Sequence, residues 1–403
     1  MRILIVADGR SPITRRWLQG LTVLRHEVAL ISTFPCSPPE NVTEFHILPV
    51  AFAALAGSQV TNRSSGGPKT SSGLKQTVSR ARGLFLRFRY QLGPLTLAWY
   101  GPQFVRLVQQ WKPDLVHALR IPFEGMLAAY TPSGTPLAVS VWGNDLTLHA
   151  RGSNAMARAT RQTLQRANGL AADAGRDIRL GWQWGFAPEK AVLNVPGNGG
   201  IDLLEISRAA ASADLPIELA ATGAPWVINP RGFRPGSVNN DVFFQSIPMI
   251  LDRNPEIQFL CPAMAGQPEA EQWLDRLKIR KQVTLLPFVS QETLWQLFSR
   301  SQVSVSISAH DGTPNSLLEA MACGCFPIAG DIESLREWIT PGVNGLLVEP
   351  SKAPGLAEAV LLAVANPDLR ARAAKSNQEI LLRRAEINLV RSQIQVFYQR
   401  LVL

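Results

Sequence analysis

The segment Asp311–Gly324, DGTPNSLLEAMACG, carries the residue types and spacing best suited to chemistry. Its helix, SLLEAMA, is apolar nearly all round and should be buried. Glu319 is then a carboxylate in an apolar helix, and it needs a partner. Asn315 and Ser316 lie four and three residues before it, on its own face. Two partners fit: a ribose diol giving two hydrogen bonds, or a neighbouring Arg in a structural network. The helix opens near Pro314 or Asn315, and its free N–H groups and positive dipole end suit a phosphate or a sugar hydroxyl. Cys323 and Cys325 form C-x-C with no second Cys or His cluster nearby, which reads as two small buried thiols rather than a metal site. With Cys36 and Cys261 they make four cysteines, too few and too irregularly spaced for a disulfide scaffold.

The elements around this segment alternate regularly. Strands are expected at 226–229, 257–261, 283–286, 303–307, 326–329 and 346–348. Helices are expected between them at 241–251, 269–278, 291–299, 315–323 and 354–365. That is a doubly wound domain whose ligand sits at the C-terminal ends of the strands. The chain opens the same way. Ile3–Ala7 is a continuous apolar run, as in a strand buried on both faces, and reads as a first strand rather than a signal peptide. A loop, Asp8-Gly9-Arg10-Ser11-Pro12, leads into a helix with Trp17, Leu18, Leu21 and Leu24 at helical spacing, and Glu27–Ser32 is the next strand. Further strands are expected at 113–119 and 137–141. The Gly-, Pro- and Asn-rich stretch at 191–202 marks a domain boundary. The expected division is 1–197, 198–376 and a last helix over 377–403 that packs back on the first domain.

A chain of 403 residues suits two domains, and 46% apolar with 18% charged residues is a globular composition. The net charge of +9 is uneven: residues 1–200 hold 22 Lys/Arg against 10 Asp/Glu. No acid occurs between Phe45 and Pro113, a stretch that includes Arg63, Lys69, Lys75, Arg80, Arg82, Arg87, Arg89 and Arg106. Leu84, Phe85, Phe88 and Leu92 add an apolar stripe, so this basic helix either lies on an anionic membrane surface or lines the active site. Nothing resembles a nucleic-acid module, and nucleic acid is not expected as a partner. No segment reaches the roughly 20 apolar residues that span a bilayer. The expected location is cytoplasmic, with peripheral binding at the inner face of the membrane as the extension raised by the basic helix.

Asp311 and Glu319, eight positions apart and followed by AMACG, resemble the E-x7-E motif of retaining GT-B glycosyltransferases of family 4. The stretch FPIAGDIESLREWITPGVNGLLVEP, the boundary NVPGNGGID, the opening strand with its loop, and HEVALIS extend the resemblance over most of the chain. The resemblance implies a GT-B fold, two Rossmann-like domains facing a cleft. It implies transfer of a sugar from a nucleotide-sugar to an acceptor hydroxyl, with retention, no cofactor and no metal. The acceptor would be a sugar, lipid-linked or small. Glu319 would bind the ribose and Asp311 the donor sugar, and the loop Gly312, Thr313, Pro314, Asn315, Ser316 would supply backbone donors. Arg231 matches the family's diphosphate Arg, and Arg234 is the nearest substitute for its Lys. His117 matches the first His of an H-x-H pattern in some relatives, and is either catalytic or structural. Asp145, in VWGND where relatives often have His-Gly, either receives an acceptor hydroxyl or caps the next helix. Gly9, Arg10 and Ser11 form a cleft-facing loop in this fold, where Gly9 allows close backbone approach. Two rivals remain: a GT-B nucleotide-sugar epimerase, and a homologue that binds nucleotide-sugar without catalysis. No carboxylate pair flanks a glycosidic bond as in a glycoside hydrolase.

Overall fold

The computed structural model describes residues 1–56, 72–212, 224–234 and 236–403, with side chains at all of these except 55–56 and 72–87. The chain divides into two compact units, Met1–Gly199 with Val390–Leu403, and Gly200–Leu389. Each is a Rossmann-like α/β domain around a parallel sheet.

The first sheet holds β1 (Arg2–Ala7), β2 (Glu27–Ser32), β3 (Glu44–Ile47), β4 (Leu115–Ala118), β5 (Leu137–Val141), β6 (Gly169–Ala172) and β7 (Ala191–Asn194). Their order is β3-β2-β1-β4-β5-β6-β7, every pair parallel. The continuous apolar run of β1 follows from burial on both faces. Leu4 and Val6 join a core with Phe104, Val116 and Met126, while Ile3 and Ile5 join one with Trp17, Leu18 and Tyr398. Tyr398 lies on the helix Ile387–Val402, most of which belongs to this unit. Gly169 begins β6 because a Cβ there would sit 2.7 Å from Phe397 and 2.8 Å from Leu401 of that helix. The long helix Ser72–Trp111 covers the other face with Tyr90, Leu97, Phe104 and Val108.

The second sheet holds β8 (Trp226–Ile228), β9 (Gln258–Cys261), β10 (Val283–Leu285), β11 (Val303–Ser306), β12 (Phe326–Gly330) and β13 (Leu346–Val348). Their order is β10-β9-β8-β11-β12-β13, again all parallel. Phe243, Phe244 and Phe259 pack edge-to-face under one side, and Trp295, Phe298, Leu317, Leu318 and Trp338 under the other.

Two features depart from the sequence expectation. The first is the strands β3, β6 and β7, which the sequence pattern does not predict. β6 is Gly-Leu-Ala-Ala, with too little bulk for a strand signal, and β7 occupies the first residues of the stretch expected to be boundary loop. The expected single helix over 377–403 is two, Pro367–Arg384 and Ile387–Val402. Between them the backbone pairs with Ile201, whose N–H donates to Ala385 O and whose carbonyl accepts from Ile387. The Glu386 carboxylate then accepts the N–H groups of Asn388 and Leu389 at 2.9 and 3.0 Å, capping the second helix. Of the basic segment, Arg63 and Lys69 lie outside the described residues, as do the side chains of Lys75, Arg80, Arg82, Leu84, Phe85 and Arg87.

Both sheets reverse direction at one place. From β1 the chain winds outward to β2 and β3, then returns to β4 on the other side of β1. From β8 it winds to β9 and β10, then returns to β11 on the other side of β8. Connections leave such a strand pair on opposite sides, which opens a crevice at the carboxyl ends.

Candidate functional site

In the second unit, the loops after β8 and β11 flank this crevice. They are zipped together: Ala309 N–H donates to Ser237 O at 2.8 Å, Ser237 Oγ donates to His310 O at 2.6 Å, and Asn239 N–H donates to Ile307 O at 2.8 Å. Arg231, just past β8, is 6% exposed, and its Nη2 donates to Asp311 Oδ2 at 2.7 Å. Ser308 Oγ donates to the same carboxylate oxygen at 3.0 Å, and Oδ1 accepts the Gly312 N–H at 3.2 Å. Both oxygens of Asp311 are thus engaged within the protein, where the resemblance implied a contact with the donor sugar. Here the carboxylate orients Arg231.

Arg234 is exposed. The charge of Arg231 lowers its pKa below the ordinary arginine value, and Asp311 opposes this. Two guanidinium groups sharing one carboxylate leave an excess positive charge at the crevice. The helix Asn315–Ala322 opens beside them with Pro314 as N-cap and no side-chain cap. Three buried polar atoms here have no partner: Arg231 Nε, Ser306 Oγ at the end of β11, and Ser316 Oγ in the first turn of the helix. Buried polar groups are nearly always paired, so such a cluster points to a missing ligand. Thr313 Oγ1 accepts from Trp338 Nε1 at 2.8 Å, and Ser334 Oγ donates to Asp311 O at 2.7 Å, which fixes the loop. Glu319 lies within the helix at 4% exposure. Burial, and then the Glu319 charge, push the Cys323 thiol up to about 12. All four cysteines are free, and Cys323 is only partly buried, where full burial was expected.

In the first unit the structure places two of the expected catalytic residues elsewhere. His117 is wholly buried in β4. Its Nδ1 lies 2.6 Å from Tyr398 Oη and its Nε2 lies 2.9 Å from Ser140 Oγ. Burial drives its pKa down to about 3, so it is a neutral core imidazole with both nitrogens occupied. Asp145 is also wholly buried. It accepts from Arg120 Nη2 at 2.6 Å and from the N–H groups of Ile121 and Trp142, both at 3.2 Å. It holds Arg120 and two loops, and takes neither of the roles expected of it. Gly9 is glycine because a Cβ would fall 2.6 Å from Cys36 Sγ and 3.0 Å from Ser32 Oγ, so its close approach is to the chain itself. The Arg10 guanidinium turns back on Asp8 at 2.9 Å and stacks 3.8 Å from the Phe34 ring.

A pocket of about 240 Å³ lies at the crevice end of this sheet, lined by Asp8, Ser11, Thr33, Phe34, Arg89, Tyr90, Arg120, Phe123, Glu124, Trp142 and His149, among others. Of these, the sequence pointed to Ser11, through its loop, and to Arg89, as one of the basic residues of a helix expected either on a membrane surface or at the active site. Glu124 stands in the apolar run IPFEGML, and the argument applied to Glu319 would have found it. Phe123 has φ +67, a left-handed conformation costly for a bulky residue and characteristic of binding sites. Among the described residues, no group of three His, Cys, Asp or Glu is placed to hold a metal.

Residues 238–380 match the family model described as glycosyl transferases group 1. Over 111 residues the chain is 27% identical to alpha-D-kanosaminyltransferase of Streptomyces kanamyceticus. That match covers 28% of this chain and spans less than a third of the enzyme, 29%. The structure of HepE from Anabaena in complex with UDP matches over 100% of both chains with a TM-score of 0.73 at 17% identity. Sucrose-phosphate synthase from Thermosynechococcus elongatus matches over 100% of this chain and 99% of its own, with a TM-score of 0.72 at 16% identity. The fold is the GT-B fold of these structures. The family match includes Asp311, Asn315, Ser316 and Glu319, and begins after Arg231 and Arg234.

Proposed function

We propose that this chain is a glycosyltransferase that moves a sugar from a nucleotide-sugar to an acceptor hydroxyl, with retention of configuration and without a metal. The observation that carries the reading is the cluster of unpartnered buried atoms at the crevice of the second unit, Arg231 Nε, Ser306 Oγ and Ser316 Oγ, beside an uncapped helix N-terminus. A diphosphate satisfies such donors, and the excess positive charge of Arg231 and Arg234 stabilises it as it leaves. Glu319 takes the ribose diol. Asp311 acts through Arg231 as a positioning residue. The acceptor belongs to glycan, glycolipid or small-molecule glycoside synthesis. HepE is in complex with UDP, so UDP is the first nucleotide to try.

Peripheral membrane binding is part of the same reading. Phe88, Leu92, Leu95 and Trp99 follow one another at helical spacing along the helix Ser72–Trp111, and all four are exposed, Trp99 at 84%. Among the described residues, no helix is long and apolar enough to cross a membrane.

Acceptor-dependent release of nucleoside diphosphate tests the activity. Release that needs no acceptor points to an epimerase, and no release with retained nucleotide binding points to a non-catalytic homologue. Thermal stabilisation by UDP, GDP and ADP in parallel identifies the base. A ligand at a hundredfold excess over its dissociation constant adds about 2.7 kcal/mol. NMR of the product anomer tests retention, and turnover in excess chelator tests metal independence.

A further inference from the structure

We propose that the crevice of the first unit binds the acidic group, phosphate or carboxylate, of a sugar substrate, with Arg89 and Arg120 as its cationic partners. The acceptor role of that sugar rests on the transferase reading; the binding itself does not.

Three observations carry the inference. The first is position. The pocket lies where the sheet reverses between β1 and β4, and its walls come from the loops after those strands, from Thr33 and Phe34 after β2, and from Arg89 and Tyr90 of the helix Ser72–Trp111. The second is unmet hydrogen bonding. The Nε atoms of Arg89 and Arg120 are both buried without a partner. Arg89 stands 4.7 Å from the Phe123 ring and 5.3 Å from the Phe34 ring, contacts that hold a guanidinium in place without neutralising it.

The third is the charge count. Asp8 is paired with Arg10, and Asp145 with Arg120. Tyr90 Oη lies 2.5 Å from His149 Nδ1, and burial lowers the His149 pKa to about 4, so that imidazole is neutral. Glu124 is buried, and desolvation raises its pKa to about 8, against the pull of Arg120 and with the push of Asp8 and Asp145. A carboxyl protonated at neutral pH donates a hydrogen bond to an anion instead of repelling it. Of the two arginines that line the pocket, Arg120 is paired and Arg89 makes no ion pair among the described residues. Burial and the neighbouring Arg120 both lower its pKa, as befits a positive charge awaiting its counter-ion. An oxyanion meets both guanidinium groups and the Glu124 hydroxyl.

The test is calorimetry on the full chain without nucleotide, titrating glucose 6-phosphate, glucuronate and glucose at constant ionic strength. At least one of the two acids binds and glucose does not; which acid binds separates phosphate from carboxylate. Arg89→Gln weakens that binding tenfold or more, and Arg89→Lys retains part of it. Binding to the wild-type chain falls as pH rises through about 8, and Glu124→Gln removes this dependence. The pH profile needs no variant of Arg89, so it stands even if Arg89→Gln fails to fold. Equal binding of glucose and the acids, no binding of either acid, or unchanged affinity in a folded Arg89→Gln overturns the proposal. Thermal stabilisation by UDP, GDP and ADP is read in the same preparations. Anion binding with no stabilisation by UDP, GDP or ADP leaves the crevice assignment standing and removes the transferase reading; nucleotide stabilisation without anion binding removes only the crevice assignment.

Discussion

Replacing Glu124 with Gln should stabilise the protein, and by an amount that grows with pH. The Glu124 carboxyl is held up from 4.5 to about 8, chiefly by desolvation. A carboxyl raised in the folded state favours folding fully below its unfolded value, and that contribution is lost as pH rises through the folded value. Between the two, each pH unit costs the folded state about 1.4 kcal/mol, so at pH 7 the penalty is roughly 3 kcal/mol. The amide removes the titration and keeps the shape. Its oxygen accepts from Thr33 Oγ1, which lies 3.4 Å from Glu124 Oε1, and from the Asp8 backbone, while its NH2 donates as the protonated acid does. Wild type and variant should therefore unfold together near pH 4. At pH 7 the variant's midpoint should be higher by roughly 6–12 °C, since 1 kcal/mol shifts a unit of this size by about 2–4 °C. Thermal unfolding of both proteins, followed by circular dichroism in matched buffers from pH 4 to pH 9, reads this as a difference at each pH. Effects common to the two chains cancel. A difference that is flat with pH, or a variant less stable at pH 8, would refute the claim that Glu124 folds in its neutral form.

Glu319→Ala should weaken UDP binding while far-UV circular dichroism stays unchanged; equal thermal stabilisation of variant and wild type by UDP would end its assignment to the ribose. The Arg231→Ala/Arg234→Ala double variant should lose more turnover than either single change, and near-normal turnover in the double would place charge neutralisation elsewhere. Tyr398→Phe removes the hydroxyl shared by His117 Nδ1 and Trp17 Nε1, so it should cost about 1–3 kcal/mol of stability and leave nucleotide affinity intact; reduced affinity without reduced stability would return His117 to the chemistry. With anionic vesicles the protein should sediment at low salt and not at high salt, and Trp99→Ser should weaken this; a protein that stays in the supernatant at low salt has no such membrane face.

The strands of the second unit were legible because each is a short apolar run between amphipathic helices, and parallel pairing buries such runs on both faces. Glu319 and its helix were legible because a carboxylate among apolar residues is a local anomaly. The misplaced residues of the first unit depend on distant parts of the chain. The partner of His117 is Tyr398, 281 residues away, and nothing near β4 announces it. The hold of Asp145 on Arg120 spans 25 residues and two loops. β6 is visible only with its covering helix, because Gly169 is small for the sake of Phe397 and Leu401. The break at Ala385–Glu386 comes from pairing with Ile201, which helical periodicity does not register.

The two units solve one problem in the same way. In each, a carboxylate past one strand end grips an arginine past the neighbouring strand: Asp311 and Arg231 in the second unit, Asp145 and Arg120 in the first. Such pairs gain little net stability, because desolving both charges offsets their attraction. What they gain is direction. In both, the carboxylate takes one Nη2, and the buried Nε is left without a partner at the point where the sheet reverses. A guanidinium fixed at one end and unmet along its side is prepared for an anion, since its orientation is settled before the ligand arrives. The crevice dictated by parallel topology and the arginine dictated by charge pairing therefore coincide twice in one chain. In the second unit the resemblance named both the carboxylate and its arginine; in the first it named Asp145 alone, because nothing near β4 marks Arg120 as its partner.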